Sequence, residues 1–503
     1  MTSVKAQLPS YLPPFVFFLF LVHLIFVLLQ PGRMLMDPGT GWQLKTGQML
    51  WETWKLPVHD PYSYTVPDLS WTLYQWLFQF LTGFLQAVGG LPLVTAICAL
   101  VLGWTLLVLM QRMLEQGTQV LCALSMVFVT WLVMTMHLQA RPHVVTYLFF
   151  TAFLLFLERA FRSPQKPMEL IRVLLPLPCL MVLWSNMHGG FVAGLILTAL
   201  FTLGAALEAC CRRNSLMWKR VFIFAACALA CGLASLINPY GYGLHQAIFS
   251  YLDLESLRYW HEYTTPFVHD SLNVRLFFGT ILVLMVLLVF RWKQLSWPEA
   301  ACLVFFLYFA ISSVRHAILF MLVAAPVLAR LAGQWFDDAL PVLSRRLADI
   351  TESQRKLKSG WVYAGSFSIL FVSLVWLLPG LFRKNLDDLR LSSASAVFIE
   401  SRPEDFHRLF NTDDLGGALI YRFGPELKVF MDDRTDLYRD KFILGTYLPV
   451  LRMEKGWYGK LEERGVTSAV LPYGNPLGPA LEKQGWLLMH QDSLNSLYLK
   501  NKK

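Results

Sequence analysis

The chain has 503 residues, 55% of them hydrophobic and only 15% charged, with a formal net charge of +9 and a mean hydropathy of +0.47. That is too apolar for a soluble protein of several domains, so a bilayer is its main solvent. The Lys and Arg sit mostly in short connections between apolar runs, where they set orientation and do not point to nucleic acid.

Runs of about 18 to 20 apolar residues, the length that crosses the hydrocarbon as a helix, recur from residue 12 to residue 382. They fall at 12–30, 73–88, 91–110, 119–136, 144–157, 173–187, 190–207, 221–237, 274–290, 299–312, 316–332 and 361–381. Basic connections at 159–172, 212–220, 291–293 and 345–358 agree in parity, and the positive-inside rule puts them in the cytoplasm together with the N-terminus. The connections 31–72, 186–190, 238–273 and 312–316 then face the other side, as does everything after 382. This parity requires an even number of crossings between Trp71 and His137, where three apolar runs stand. The run 73–88 carries Gln75, Gln79 and Gln86, so it is read as interfacial or re-entrant.

After Pro379-Gly380 the composition turns charged and mixed. Strands are expected at 418–423, 428–431, 468–471 and 487–489, and helices at 440–453 and 477–484. The expected fold is thus an α-helical polytopic membrane protein of about 11 to 12 transmembrane helices over 1–382, followed by a small extracytoplasmic α/β domain over 383–503. The eight cysteines lie in apolar runs, apart from Cys210 and Cys211 beside a basic connection, and form neither a disulfide framework nor a metal site.

Polar chemistry gathers in the connections. The first long one carries Asp37, Trp42, Lys45, His59 and Asp60. A carboxylate such as Asp37, just past an apolar helix, can act as a general base toward a hydroxyl or bind a cation; capping the helix that starts near Gly41 is an equally open reading. Asn186 and His188 stand beside Gly189-Gly190 between two spans, as functional groups or as a tight turn. Arg141 with His143, and Arg315 with His316, fall at helix ends, as phosphate ligands or as interfacial anchors. In the second long connection Glu262 is flanked by aromatics: a buried acid beside a sugar-stacking surface, or a solvated one. Asp414, Gly416-Gly417 and Asp432-Asp433-Arg434 are read mainly as turn and salt-bridge residues. No Walker, HExxH or dinucleotide-binding pattern occurs.

Taken in order, the Asp37 loop with GWQLKTGQ and HDPYSYT, then ARPH, LWSNMHGGF, LINPYGYG, WHEY, SVRHAILF, LGGALIYRF and VFMDDRTDLY resemble the GT-C superfamily of membrane glycosyltransferases. The likeness runs through most of the chain and is nearest to a bacterial polytopic family related to the dolichyl-phosphate-mannose and aminoarabinose transferases. It implies a polyprenyl-phosphate-linked sugar donor, an inverting transfer, Asp37 as catalytic carboxylate and Glu262 as the acid of the second loop. Charge then suggests Arg141, His143, His188, Arg315 and His316 as ligands of the lipid phosphate. Members of the superfamily often carry a second carboxylate close behind the first, and here Gly39 stands at that place.

The function expected is transfer of a sugar from a polyprenyl phosphate to a glycan, lipid or protein acceptor outside the cytoplasm, in a bacterial inner membrane. No cofactor is required, and a divalent cation is left open. Two rivals remain: a transporter or flippase for a lipid-linked substrate, disfavoured because the spans hold few charges, and a non-catalytic scaffold for envelope-glycan assembly.

Overall fold

A computed structural model describes residues 15–67, 69–162, 166–212, 215–356, 359–377 and 390–501. Helix α1 (Phe15–Leu29) leads into the first long connection, which holds α2 (Thr40–Thr53). The bundle continues with α3 (Trp76–Glu115), α4 (Val120–Met134), α5 (His143–Arg162), α6 (Pro167–Leu174), α7 (Pro176–Met187), α8 (Phe191–Arg212) and α9 (Ser215–Ala234). The second long connection contains α10 (Gly243–Leu252), and α11 (Leu272–Arg291), α12 (Trp297–Ser312), α13 (Ala317–Ala339), α14 (Pro341–Lys356) and α15 (Ser359–Leu377) follow.

Eight helices among the described residues are long and apolar enough to cross a membrane, and Trp297–Ser312 and Ala364–Leu377 are shorter apolar helices. The expected 11 to 12 spans thus resolve into eight of full length and shorter ones, α1 with its 15 residues included. One reason is that the runs 73–88 and 91–110 are joined: α3 is a single element of 40 residues, bent at Gly90, whose φ of 67° suits glycine, with Pro92 just beyond. Before the bend, α3 packs on α2 through Trp51 against Phe80 and Phe84, and Trp54 against Phe80.

Two buried polar groups inside the bundle are matched. His23 on α1 bonds the Ala99 carbonyl at 2.9 Å and accepts from the Trp131 indole at 3.1 Å, tying α1, α3 and α4. Near the opposite end of α3, Arg112 is fully buried, paired with Glu158 at 2.6 Å and donating to the Leu322 carbonyl at 2.7 Å. These are the paired intramembrane polar groups that a helical bundle tolerates.

The C-terminal segment has α16 (Ser393–Glu400), β1 (Leu409–Asn411), α17 (Asp413–Phe423), α18 (Thr435–Phe442), β2 (Ser468–Pro472), β3 (Trp486–Gln491) and β4 (Asn495–Lys500). The sheet order is β1-β2-β4-β3, with β1 and β2 parallel and the other pairs antiparallel. Strands fall where expected near 468–471 and 487–489, and helices near 440–453 and 477–484. The stretch 418–423 is helix instead of strand: Asp413 and Asp414 occupy the first turn of α17, and Leu415 and Leu419, one turn apart, are both buried. The run 428–431 stays outside the sheet and bridges the first connection, Val429 to Ser63. The expected boundary at 382/383 lies outside the described residues.

The core of this segment extends into the first long connection. Trp42, Leu50, Tyr62, Trp71 and Leu73 of the first connection share one apolar cluster with Phe410, Leu419, Phe430, Ile443 and Val470. Contact is closest where α2 crosses α17. A Cβ at Gly41 would lie 2.1 Å from the Gly417 carbonyl oxygen, and one at Gly417 1.9 Å from that of Pro38, so only glycines allow this approach. The second connection docks as well, the Asp440 carboxylate accepting from the backbone N–H of Glu255 and Ser256 at 2.8 and 2.9 Å.

Candidate active site

Asp37 ends the short turn after α1 and is buried. Its Oδ1 accepts the Gly39 N–H at 2.8 Å, and its Oδ2 pairs with Nη1 of Arg141 at 2.9 Å. It makes no side-chain cap on α2, so it holds its own turn and faces a guanidinium. The other Arg141 nitrogen, Nη2, reaches Oδ2 of Asp433 at 3.4 Å. Oδ1 of Asp433 accepts the Trp42 indole N–H at 2.5 Å. Burial pushes Asp433 up to about 7; Arg141 opposes this, and the like charges of Asp37 and Asp432 reinforce it.

Behind this trio lies a second pair. Glu262 stands 3.7 Å from Arg315, whose guanidinium donates to the Tyr263 hydroxyl and stacks 4.5 Å from that ring's centre. Ser313 Oγ donates to the Glu262 carbonyl at 3.0 Å, fixing the second connection onto the end of α12. Burial alone would raise the Glu262 carboxyl, but Arg315, and then Arg141, hold it down at about 2. Arg141 lies within electrostatic reach of Glu262 as well as Asp37 and Asp433, so the two pairs form one neighbourhood.

Histidines close the cluster. His143 Nε2 meets the His137 carbonyl at 3.0 Å. His188 Nδ1 accepts from the Gly190 N–H at 3.1 Å and meets Thr146 Oγ1 at 2.8 Å, an arrangement that places the proton of the neutral ring on Nε2. Burial, with His143 and the two arginines behind it, pushes His188 well below its ordinary value. His316 is within reach of Arg315, His137 and Glu262, and its Nδ1 is buried without a hydrogen-bond partner. The charged members stay open: Arg141, Arg315 and Glu262 side chains are 21, 28 and 36% exposed, set among buried helix ends. Among the described residues, no group of three or more His, Cys, Asp or Glu could hold a metal ion.

No family model matches the chain, and none of the curated proteins matches it in sequence. Solved structures do match in shape. The oligosaccharyltransferase AglB of Archaeoglobus fulgidus, in complex with an inhibitory peptide and a dolichol-phosphate, is 13% identical with a TM-score of 0.52, over 91% of this chain and 70% of that one. The same enzyme tethered to an acceptor peptide gives 12% and 0.54, over 90 and 69%. ArnT of Cupriavidus metallidurans bound to undecaprenyl phosphate is 12% identical with a TM-score of 0.51, over 97% of this chain and 98% of that one. The chain has the fold of the GT-C membrane glycosyltransferases.

Within this GT-C fold the other residues singled out in the sequence have different places. Trp42 reaches the cluster through Asp433. Lys45 is half-buried on α2. His59 is exposed, with only its backbone bridged to Ser70. Asp60 is buried in a pair with Arg434 at 2.7 Å, which holds its carboxyl below the usual range against the upward push of burial. Asn186 spends its amide on the Trp76 indole and the carbonyls of Val182 and Ile237, each at 2.8 Å. These bonds make Asp60 and Asn186 braces of the scaffold. The residue that sequence reasoning left out of the site is Asp433, read there mainly as turn and salt-bridge chemistry; the salt bridge is present, to Arg141.

Proposed function

We propose that the protein moves a sugar from a polyprenyl-phosphate donor to an acceptor outside the cytoplasm, with inversion, and that Asp37 is the base that accepts the acceptor hydroxyl's proton. One observation carries this reading: Asp37 and Glu262, far apart in sequence, meet through Arg141 at one end of the bundle, with Asp37 buried and Arg141 and Glu262 partly exposed. AglB and ArnT were solved with dolichol-phosphate and undecaprenyl phosphate, which supports a lipid phosphate as the leaving group here. Arg315 and Arg141, with His143, His188 and His316, neutralise charge as the phosphate departs. Glu262 orients Arg315. The end of the bundle holding the cluster faces out of a bacterial inner membrane, and the acceptor is a glycan, lipid or protein.

The test is transfer of radiolabelled sugar from a panel of polyprenyl-phosphate sugars by purified protein in lipid nanodiscs. Asp37→Asn should insert normally and lose at least about 10²-fold in rate; full activity in that variant would reject the role. EDTA in a parallel arm decides the part of a divalent cation.

A further inference from the structure

Gly39 has an ordinary helical backbone, φ −81° and ψ −12°, a conformation open to every residue. Nothing in the path of the chain asks for glycine there. The demand comes from across the interface: a Cβ on Gly39 would lie 2.3 Å from Oδ2 of Asp433. The 432–434 loop therefore places a carboxylate in the space that a side chain two residues after Asp37 would occupy. The Gly41–Gly417 crossing fixes the depth of that insertion.

The two carboxylates are not equivalent. Both oxygens of Asp37 are taken, one by the Gly39 N–H and one by Arg141, and its side chain is 6% exposed. Asp433 is 17% exposed and holds Arg141 by the longer contact. Facing Asp433 are Arg141, Trp42 and Asp37 from the membrane part and Asp432 on its own loop, with Glu262 and Tyr74 acting on Arg141 from behind.

We propose that Asp433 is the second carboxylate of the active site, supplied by the C-terminal segment, and that the base is the Asp37–Asp433 pair held on one guanidinium. This deepens the transfer reading above and rests on it. In the reaction the acceptor oxygen bonds the anomeric carbon, and the bond from that carbon to the lipid phosphate oxygen breaks with its electrons passing to the phosphate. The acceptor's proton is taken up by Asp37 and passes within the pair to rest on the more open Asp433, so that Asp37 returns to its ionised form and keeps Arg141 in place. The working form has both carboxylates ionised, so the rate rises with pH through about 7, where Asp433 loses its proton.

The experiment follows transfer from about pH 5 to about pH 9 in wild type, Asp433→Asn, Asp433→Gly, Gly39→Asp and the double variant Gly39→Asp/Asp433→Gly. Difference infrared spectra of the carboxyl band are recorded over the same range without substrate. The expected results are a roughly 10²-fold loss in Asp433→Asn with unchanged donor binding, disappearance of the rise near pH 7, and an inactive Gly39→Asp. The double variant, with the collision removed and a carboxylate returned, should recover at least about tenfold over Asp433→Gly. In the infrared, a protonated carboxyl band that bleaches near pH 7 should be missing in Asp433→Asn and move to lower pH in Asp37→Asn, where the neighbouring charge is gone. Asp433→Asn retaining the wild-type pH limb, or a wild-type band indifferent to both substitutions, overturns the proposal. If the band behaves as stated but no donor is used, the coupled pair stands and the transfer reading falls.

Discussion

Twice in this molecule an arginine is held between two aspartates where the first connection meets the C-terminal segment, and the two trios are built to opposite ends. In one, Arg434 bonds Asp432 and Asp60 at 2.6 to 2.8 Å, and all three side chains are 0 to 1% exposed. Its guanidinium lies 4.7 to 5.4 Å from the ring centres of Trp71, Trp42 and Tyr62. The spare carboxylate lone pairs are filled by the N–H groups of Tyr62, Ser63 and Arg434 and by the Tyr438 hydroxyl. In the other, Arg141 bridges Asp37 and Asp433 with one short and one long contact, and each member keeps some exposure. Saturated, sealed charges hold a structure together; a trio left open and unevenly bonded has bonding capacity to give to a substrate.

The comparison breaks most visibly at Arg434. Arg434→Leu leaves two buried carboxylates unpaired, and removing one partner of such a group costs about 3 to 5 kcal/mol; folded yield and melting temperature should collapse, and activity only with them. Arg141→Leu should do the reverse, lowering transfer by about 10²- to 10³-fold while the melting temperature of the detergent-purified protein stays near wild type. Equal thermal losses in the two variants would erase the distinction. At the small end, His59→Ala on the exposed part of the first connection should change stability by less than about 0.5 kcal/mol and leave transfer unaltered, sharpening the contrast with its buried neighbour Asp60.

The large-scale plan of the chain was legible because bilayer physics writes itself into apolar runs, and the two long connections stood out as the gaps between them. Arg141 and Arg315 could be singled out as charges paired with a histidine at a helix end, and Glu262 as an acid flanked by aromatics in the second long connection. Local patterns failed where burial came from far away. Residues 418–423 carry β-favouring side chains, yet they are helical because Leu415 and Leu419 need one face of α17 toward the shared core. Strands β1 and β4 went unseen, the first being three residues long and the second carrying Asn495, Ser496 and Lys500. Asp433 meets Trp42 across 391 residues of sequence, and no window holds both. The one local trace of that meeting is a glycine at position 39 whose backbone does not need it.

The Gly41–Gly417 crossing has a consequence for the order of biosynthesis. The apolar helices are translated and can enter the bilayer before residue 417 has left the ribosome, so a nascent chain with its bundle inserted still lacks the surface that closes over Asp37. The recess is assembled last, when the tail folds back onto the opening loop. A polypeptide interrupted before residue 417 is left as an inserted membrane protein without a finished centre.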